Sequence, residues 1–207
     1  VNQWDTARGQ VNVNGGTLNL NADTDIRFST NGGIGVSSLS ISAGAINGGG
    51  GSVVDLNWGG AAVDNTVNLN GGTLTIGQVI ARTTTGSRVF NFNGGTLKAA
   101  ASSANFFDAG VASAANVRNG GAVIHTAGND VTISQTLAHS AIGGDAAIDG
   151  GLTKTGAGTL TLNGANSYTG STTVNGGVLA VNGTSLPDTG TLVINTGAVV
   201  NVTGTEV

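Results

Sequence analysis

Hydrophobic and polar positions alternate along this chain in short runs, and the runs break at one kind of place. Four stretches show it most plainly: VNVNGGTLNL from Val11, VNLNGGTLTI from Val67, FNFNGGTLKA from Phe90 and TTVNGGVLAV from Thr172. Looser copies are LSISAGAI from Leu39, VRNGGAV from Val117 and VINTGAVV from Val193. The common form is apolar-x-apolar, then Asn-Gly-Gly, then x-apolar-x-apolar. Each half has period two, which predicts a short strand with one buried face. Val13 and Leu18, Leu69 and Leu74, Phe92 and Leu97, and Val174 and Leu179 are each five residues apart. Five is odd, so a straight strand would set the partners on opposite faces. Both point inward only if Asn-Gly-Gly bends the chain, and Asn and Gly tolerate the left-handed backbone that such a bend needs. Each unit is therefore two short strands meeting at a corner.

Two folds use such corners. One is an antiparallel, hairpin-based β-sandwich, because Asn-Gly is a strong hairpin signal. The other is a parallel β-helix, in which the corner leads to the next face of the same coil. Three features favour the β-helix. The Asn-Gly-Gly copies begin at 14, 70, 93, 119 and 175, so the gaps of 56, 23, 26 and 56 fit one or two coils of roughly 23 to 28 residues. Strands of about four residues are short for a free hairpin but adequate between neighbouring coils. The third feature is composition. Charged residues make up only 9% of the chain, against about a quarter in ordinary domains. Stacked coils place equivalent side chains about 4.8 Å apart, where like charges repel and Thr, Ser and Asn can bond along the stack. Outward positions are indeed mostly of that kind, as at Thr17, Asn19, Thr73, Thr75, Thr159 and Thr161. The expectation is a single all-β domain over 1–207, with eight or nine coils spanning roughly 40 Å. In SVVDLNW, Val54, Leu56 and Trp58 share one face. Residues 102–117 break the alternation and are expected to form an inserted loop or short helix.

Composition narrows the partners. The net charge is −4 with a pI near 4.7, and no Lys/Arg cluster is present, so nucleic acid and anionic membranes are disfavoured. No apolar run approaches the roughly 18 residues of a membrane helix, so direct membrane insertion by this segment is not expected. The chain has no cysteine, which removes disulfides and thiolate metal sites. It also lacks methionine, even at position 1, which leads us to expect a processed chain or part of a longer one.

The stretch LTKTGAGTLTLNGANSYTGSTTVNGGVLAVNG, within 150–183, resembles the passenger-associated repeat of bacterial autotransporters. Lys-Thr-Gly-x-Gly-Thr-Leu-Thr-Leu, then Tyr-Thr-Gly, then Asn-Gly-Gly occur together in that order. The resemblance implies a right-handed parallel β-helix, secreted or displayed at the bacterial cell surface. It also implies a structural, secretion-assisting element without catalytic residues. The expected role is a stalk segment serving surface display or adhesion, not an enzyme, with no cofactor. Alternatives are a carbohydrate-active β-helix enzyme and a self-assembling filament or matrix unit.

Chemistry-bearing residues are few. Asp23 and Asp25, with Arg27 in line, share a strand face and carry the residue types of glycan acid/base work, but the preferred reading is a solvated face on which Arg27 balances the acids. Asp145 and Asp149 flank a glycine-bounded loop that could offer oxygens to calcium, against a plain reading as solubilising acids. His125 and His139 lack a second ligand at metal spacing. No catalytic, cofactor or metal residue is therefore assigned. Trp4, Trp58 and Tyr168 are the aromatic candidates for a sugar platform. Trp58 is expected in the core by its parity, and Tyr168 belongs to the repeat pattern. The adjacent Phe106 and Phe107 are the expected contact site for an unknown host or glycan ligand, since one of two neighbouring rings should face out. Open strand edges at both ends lead us to expect adjacent coils or like subunits there.

Overall fold

The computed structural model describes residues 9–21, 24–28, 37–60, 62, 64–187 and 189–204. Among these residues there are twenty strands, β1–β20 in chain order, and every named pair is parallel. They stack on three faces of a solenoid. The first face holds the starts of β1 (Gln10–Asn19) and β3 (Ser37–Asn47), then β5 (Asp64–Leu69), β8 (Ser87–Phe92), β11 (Ala114–Val117) and β14 (Leu137–His139). The second continues from the ends of β1 and β3 through β6 (Thr73–Ile76), β9 (Thr96–Ala99), β12 (Ala122–His125), β15 (Leu152–Thr155), β17 (Thr172–Val174) and β19 (Leu192–Ile194). The third stacks β2 (Ile26–Arg27), β4 (Val53–Asp55), β7 (Gln78–Ile80), β10 (Ser103–Phe107), β13 (Val131–Ile133), β16 (Thr159–Leu162), β18 (Val178–Asn182) and β20 (Val199–Thr203). The protein is a parallel β-helix of about seven turns, slightly shorter than its repeat spacing predicts.

Parity decides which side chains go inside. On the second face Leu18, Ile46, Leu74, Leu97 and Ile124 stand one above another in register. All but Leu18 are buried completely. The intervening Thr73, Thr75, Thr159 and Thr161 are half-exposed, as their alternation predicts. Outside, equivalent polar groups bond from coil to coil. Asn68 Nδ2 donates to Ser40 Oγ at 3.3 Å, Asn91 Nδ2 to Asn68 Oδ1 at 2.8 Å and Asn116 Nδ2 to Asn91 Oδ1 at 2.8 Å.

The Asn-Gly-Gly corners bend as required. Gly72 has φ +62, and a Cβ there would lie 2.4 Å from the Gly44 carbonyl oxygen of the coil before it. One copy, however, turns a different corner. At 14, 70, 93 and 119 the motif joins the first face to the second. The copy at 175 joins β17 on the second face to β18 on the third. The corner chemistry is the same at both places, so the motif alone does not say which faces it connects. Coil length varies independently of the corner, since Asn91 already bonds to Asn68 only 23 residues back. Asn68 bonds 28 residues back, whereas Asn195 donates to Asn175 only 20 residues back. After β14 the first face holds no further named strand: the next coil continues it only as an isolated parallel bridge, Ser167 with Ala138.

Residues 102–117 are also not an insertion. They supply β10 and β11, two ordinary rungs. Their alternation fails because Ser103 pairs with Val131 and Phe107 with Ile133, so four steps on β10 match two on β13. Such a bulge bends a strand without removing it from the sheet.

Replacing Gly72 by Ala forces a left-handed β-carbon against backbone that cannot yield. The expected cost is about 2 kcal/mol or more, read as a lower midpoint in urea unfolding with far-UV circular dichroism unchanged.

Candidate functional site

The last complete chemical grouping to expect inside a β-helix is a lone cation, yet two are present. Lys154 lies in β15 at the same parity as Leu152, in register between Ile124 and Val174. Its side chain is fully buried. Nζ donates to Gly156 O at 2.7 Å, Gly176 O at 2.9 Å, Thr126 Oγ1 at 2.9 Å and Thr155 O at 3.2 Å. It therefore ties three successive coils at one corner. Burial pushes its ammonium down to about 8. Arg88, inward in β8 by the same rule, gives Nε to Val111 O at 2.9 Å and Nη1 to Thr85 O at 3.0 Å and Gly86 O at 2.9 Å. Both cations are met mainly by backbone carbonyl oxygens near the corners, with one hydroxyl at Lys154, and not by carboxylates.

The acids are likewise committed. Asp145 accepts from Arg118 Nε and Nη2, each at 2.8 Å, and from Ser140 Oγ at 2.6 Å. Arg118 and then Ser140 hold its carboxyl down to about 2. Asp149 accepts backbone N–H bonds from Gly151, Thr169 and Gly170. Burial works to raise its carboxyl, and these donors with His139 bring it below the usual range. Asp145 and Asp149 thus face donors of their own, and among the described residues no three His, Cys, Asp or Glu gather as metal ligands. Asp25 is paired with Arg27 at 2.8 Å and accepts from Val53 N–H at 3.2 Å. Its expected partner Asp23 lies outside the described residues.

One trio has the residue types of a nucleophilic site. His139 Nδ1 donates to Asp149 Oδ2 at 2.9 Å, and Thr169 Oγ1 lies 3.1 Å from each of those atoms. A relay needs the hydroxyl on the far ring nitrogen, opposite the carboxylate. Here hydroxyl and carboxylate crowd the same nitrogen, so this is a pin. His139 stands in register above Val117 at the end of the last named strand of the first face, its ring half-buried and hydrogen-bonded. His125 ends β12, with Nδ1 2.9 Å from Thr155 Oγ1, and burial followed by Lys98 and Lys154 lowers its pKa.

The aromatic candidates are occupied too. Phe106 and Phe107, expected to offer a ring to a ligand, are both completely buried. The bulge in β10 turns neighbouring side chains inward together, and Phe107 packs 5.5 Å from Phe90. Tyr168 is buried, its hydroxyl 2.6 Å from Thr172 Oγ1. Trp58 is half-buried at the surface, not in the core, because β4 stops at Asp55 and parity lapses beyond it. Arg27 covers one approach to its ring at 3.8 Å and Arg82 another at 4.2 Å. Arg82 also holds the buried Asp55 at 3.0 Å, while burial raises that carboxyl's pKa against its donors. Trp4 lies outside the described residues. No described Phe or Tyr ring is open to a sugar.

The geometry defines a structural β-solenoid repeat. Residues 152–181 match the family model described as passenger-associated-transport-repeat, so this segment is similar to the repeats of autotransporter passengers. No curated protein and no solved structure matches the chain. The matched segment holds Lys154, the Asn166–Thr169 stretch that closes the first face, and the corner at 175. Asn166 Oδ1 accepts from Leu137 N–H at 2.8 Å, and Ser167 N–H donates to Leu137 O at 2.9 Å. Within the repeat the first face thins from a named strand to a single bridge, Ser167 with Ala138. Its lysine was readable in advance, since parity with Leu152 puts it inside.

Lys154→Met should cost about 2 kcal/mol at pH 7 by stranding corner carbonyls. Because the folded state holds this proton less tightly than a free lysine, its charge penalty is complete below pH 8. The penalty lifts between about 8 and 10.5. Denaturation midpoints of the wild type should therefore carry a rising component across that window which Lys154→Met lacks. Asp145 has the opposite sense: a lowered carboxyl stabilises above pH 3.8 and loses that contribution as pH falls towards 2. Asp145→Asn should flatten that part of the acid limb.

Proposed function

We propose that this chain is a stalk segment of a passenger-like protein, serving display at the bacterial cell surface. The observation that carries the reading is the match of 152–181 to a passenger-associated repeat whose buried polar side chains Lys154 and Asn166 are both hydrogen-bonded within the solenoid. Continuous parallel pairing gives stiffness along the axis, and stability accumulates coil by coil through nearest-neighbour contacts. The mechanism is mechanical. Each coil adds about 4.8 Å of reach, and low charge lets like coils stack without repulsion. Recognition of a receptor or glycan, on this reading, belongs to whatever the stalk carries. The lack of an open ring among the described Phe and Tyr residues favours a spacer over a sugar-binding adhesin.

A spacer tolerates loss of a whole coil, whereas a specific site does not. Deleting residues 42–69 joins Ile41 to Asn70 and so regenerates a corner between β3 and β6. It removes Asp55 along with its coil, so no buried acid is left behind. The shortened protein should fold, keep its strand signal per residue and be displayed as well as the parent, judged by circular dichroism and by surface labelling of expressing cells. A surface adhesion or glycan-turnover activity of the parent that disappears with this one coil would contradict the stalk reading.

A further inference from the structure

One column on the outer wall breaks the rule that keeps charge off this solenoid. On the second face Asn19, Asn47, Thr75, Lys98, His125 and Thr155 stand in register from coil to coil. Most of those places hold Asn or Thr, and Asn47 Nδ2 donates to Asn19 Oδ1 at 3.0 Å. At the other two an ammonium lies one rung, about 4.8 Å, from an imidazole. Lys98 has no hydrogen-bond or ion-pair partner among the described residues, whereas Arg27, Arg82 and Arg118 each hold a carboxylate. The His125 ring packs over Gly156 of the next coil, where a Cβ would lie 2.7 Å from its Cε1. Nδ1 is 2.9 Å from Thr155 Oγ1. In the protonated ring Nδ1–H therefore gives to that hydroxyl, and Nε2–H has no partner among the described residues. The strands of the second face contain no Asp or Glu. A face without acids thus carries an uncompensated cation beside a histidine, in a chain whose net charge is −4.

We propose that Lys98 and His125 together bind one carboxylate of an acidic polysaccharide lying along the second face. Lys98 Nζ and His125 Nε2–H supply charge-assisted donors from adjacent rungs. Beside them the hydroxyls of Thr75, Thr96 and Thr153 bond to no described residue, and they offer the donors and acceptors that sugar hydroxyls need. A peptide finds less here. β9 and β12 are paired on both sides, so neither offers the open edge by which a sheet takes up a peptide backbone. The contact is ionic and uses no aromatic ring. It goes beyond the stalk reading, which stands whichever way this one falls. The charged groups acting on His125 are Lys98 from β9 and Lys154 from β15, both cations, and burial followed by these two lowers its pKa. The free ring is therefore neutral near pH 7. A bound carboxylate favours the imidazolium, so binding raises that pKa and takes up a proton. Affinity accordingly climbs as pH falls through the His125 pKa, until the uronate itself protonates at about pH 4.

The test is an NMR pH titration of the two histidine rings in the purified chain, with and without hexagalacturonate. One ion pair with hydroxyl contacts is expected to bind weakly, with Kd roughly 1 mM. The probe should raise the His125 pKa, leave that of His139 in place, and bind at least about fivefold more tightly at about pH 5.5 than at about pH 8. Lys98→Thr and His125→Thr install the residue that the column already carries, so both should keep the far-UV circular dichroism of the parent. Lys98→Thr should raise the His125 pKa of the free protein and weaken probe binding at least about fivefold. His125→Thr should remove the pH dependence and identifies the His125 signal by its loss. The wild-type shift decides the matter even where a variant fails to fold. A His125 pKa that the probe leaves unmoved, or binding that survives in the double variant, would overturn the proposal. An equal shift with polyglutamate, or with acetate at the same carboxylate concentration, would overturn it too.

Discussion

Parallel pairing from one coil to the next forces each side chain to sit directly over its counterpart, about 4.8 Å away. Most of the structure is a response to that constraint. Inside, it produces the aliphatic column of Ile46, Leu74, Leu97 and Ile124. Outside, it admits groups that can bond to their own kind, as in the run from Ser40 through Asn68 and Asn91 to Asn116. An amide can give to the coil before it and receive from the coil after it. An ammonium or a carboxylate cannot, which is why the charged fraction is so low.

The charges that remain are singletons, and their partners lie mostly at corners. Glycines with positive φ turn carbonyl groups away from the ladder, and a buried acceptor without a donor is costly. Lys154 and Arg88 collect several such carbonyls each. A carboxylate partner would have brought a second desolvated charge into the core. The acids follow a parallel logic, since Asp149 gathers three backbone N–H groups where the named strands of the first face end. Residue types that would suggest catalysis in another setting are used here to terminate and join strands.

Much of this was legible in the sequence. Period-two alternation and the odd step across Asn-Gly-Gly gave the strands, the corners and the inward positions. The same parity, applied to Lys154 and Arg88, would have placed both inside. What escaped was whatever depends on neighbours across the stack. The copy at 175 looks like the one at 70, yet turns the corner from the second face to the third, which only the strand pairing reveals. Phe106 and Phe107 could not be sorted by alternation, because the bulge that turns both inward is a property of the pairing with β13. Trp58 was misplaced where β4 stops, and its two arginine neighbours come from 31 residues earlier and 24 later in the chain.

The thinning of the first face after β14 has a mechanical meaning. A beam resists lateral load according to how far its material lies from the central line, and this dependence is steep. A shaft of three walls in which one wall thins from paired strands to a single bridge and hydrogen-bonded loop stays closed, but it is weaker on that side than on the other two. Under a sideways pull the deflection would gather in the coils beyond Leu137–His139. The solenoid would then tilt about that stretch in one preferred direction instead of bowing evenly along its length.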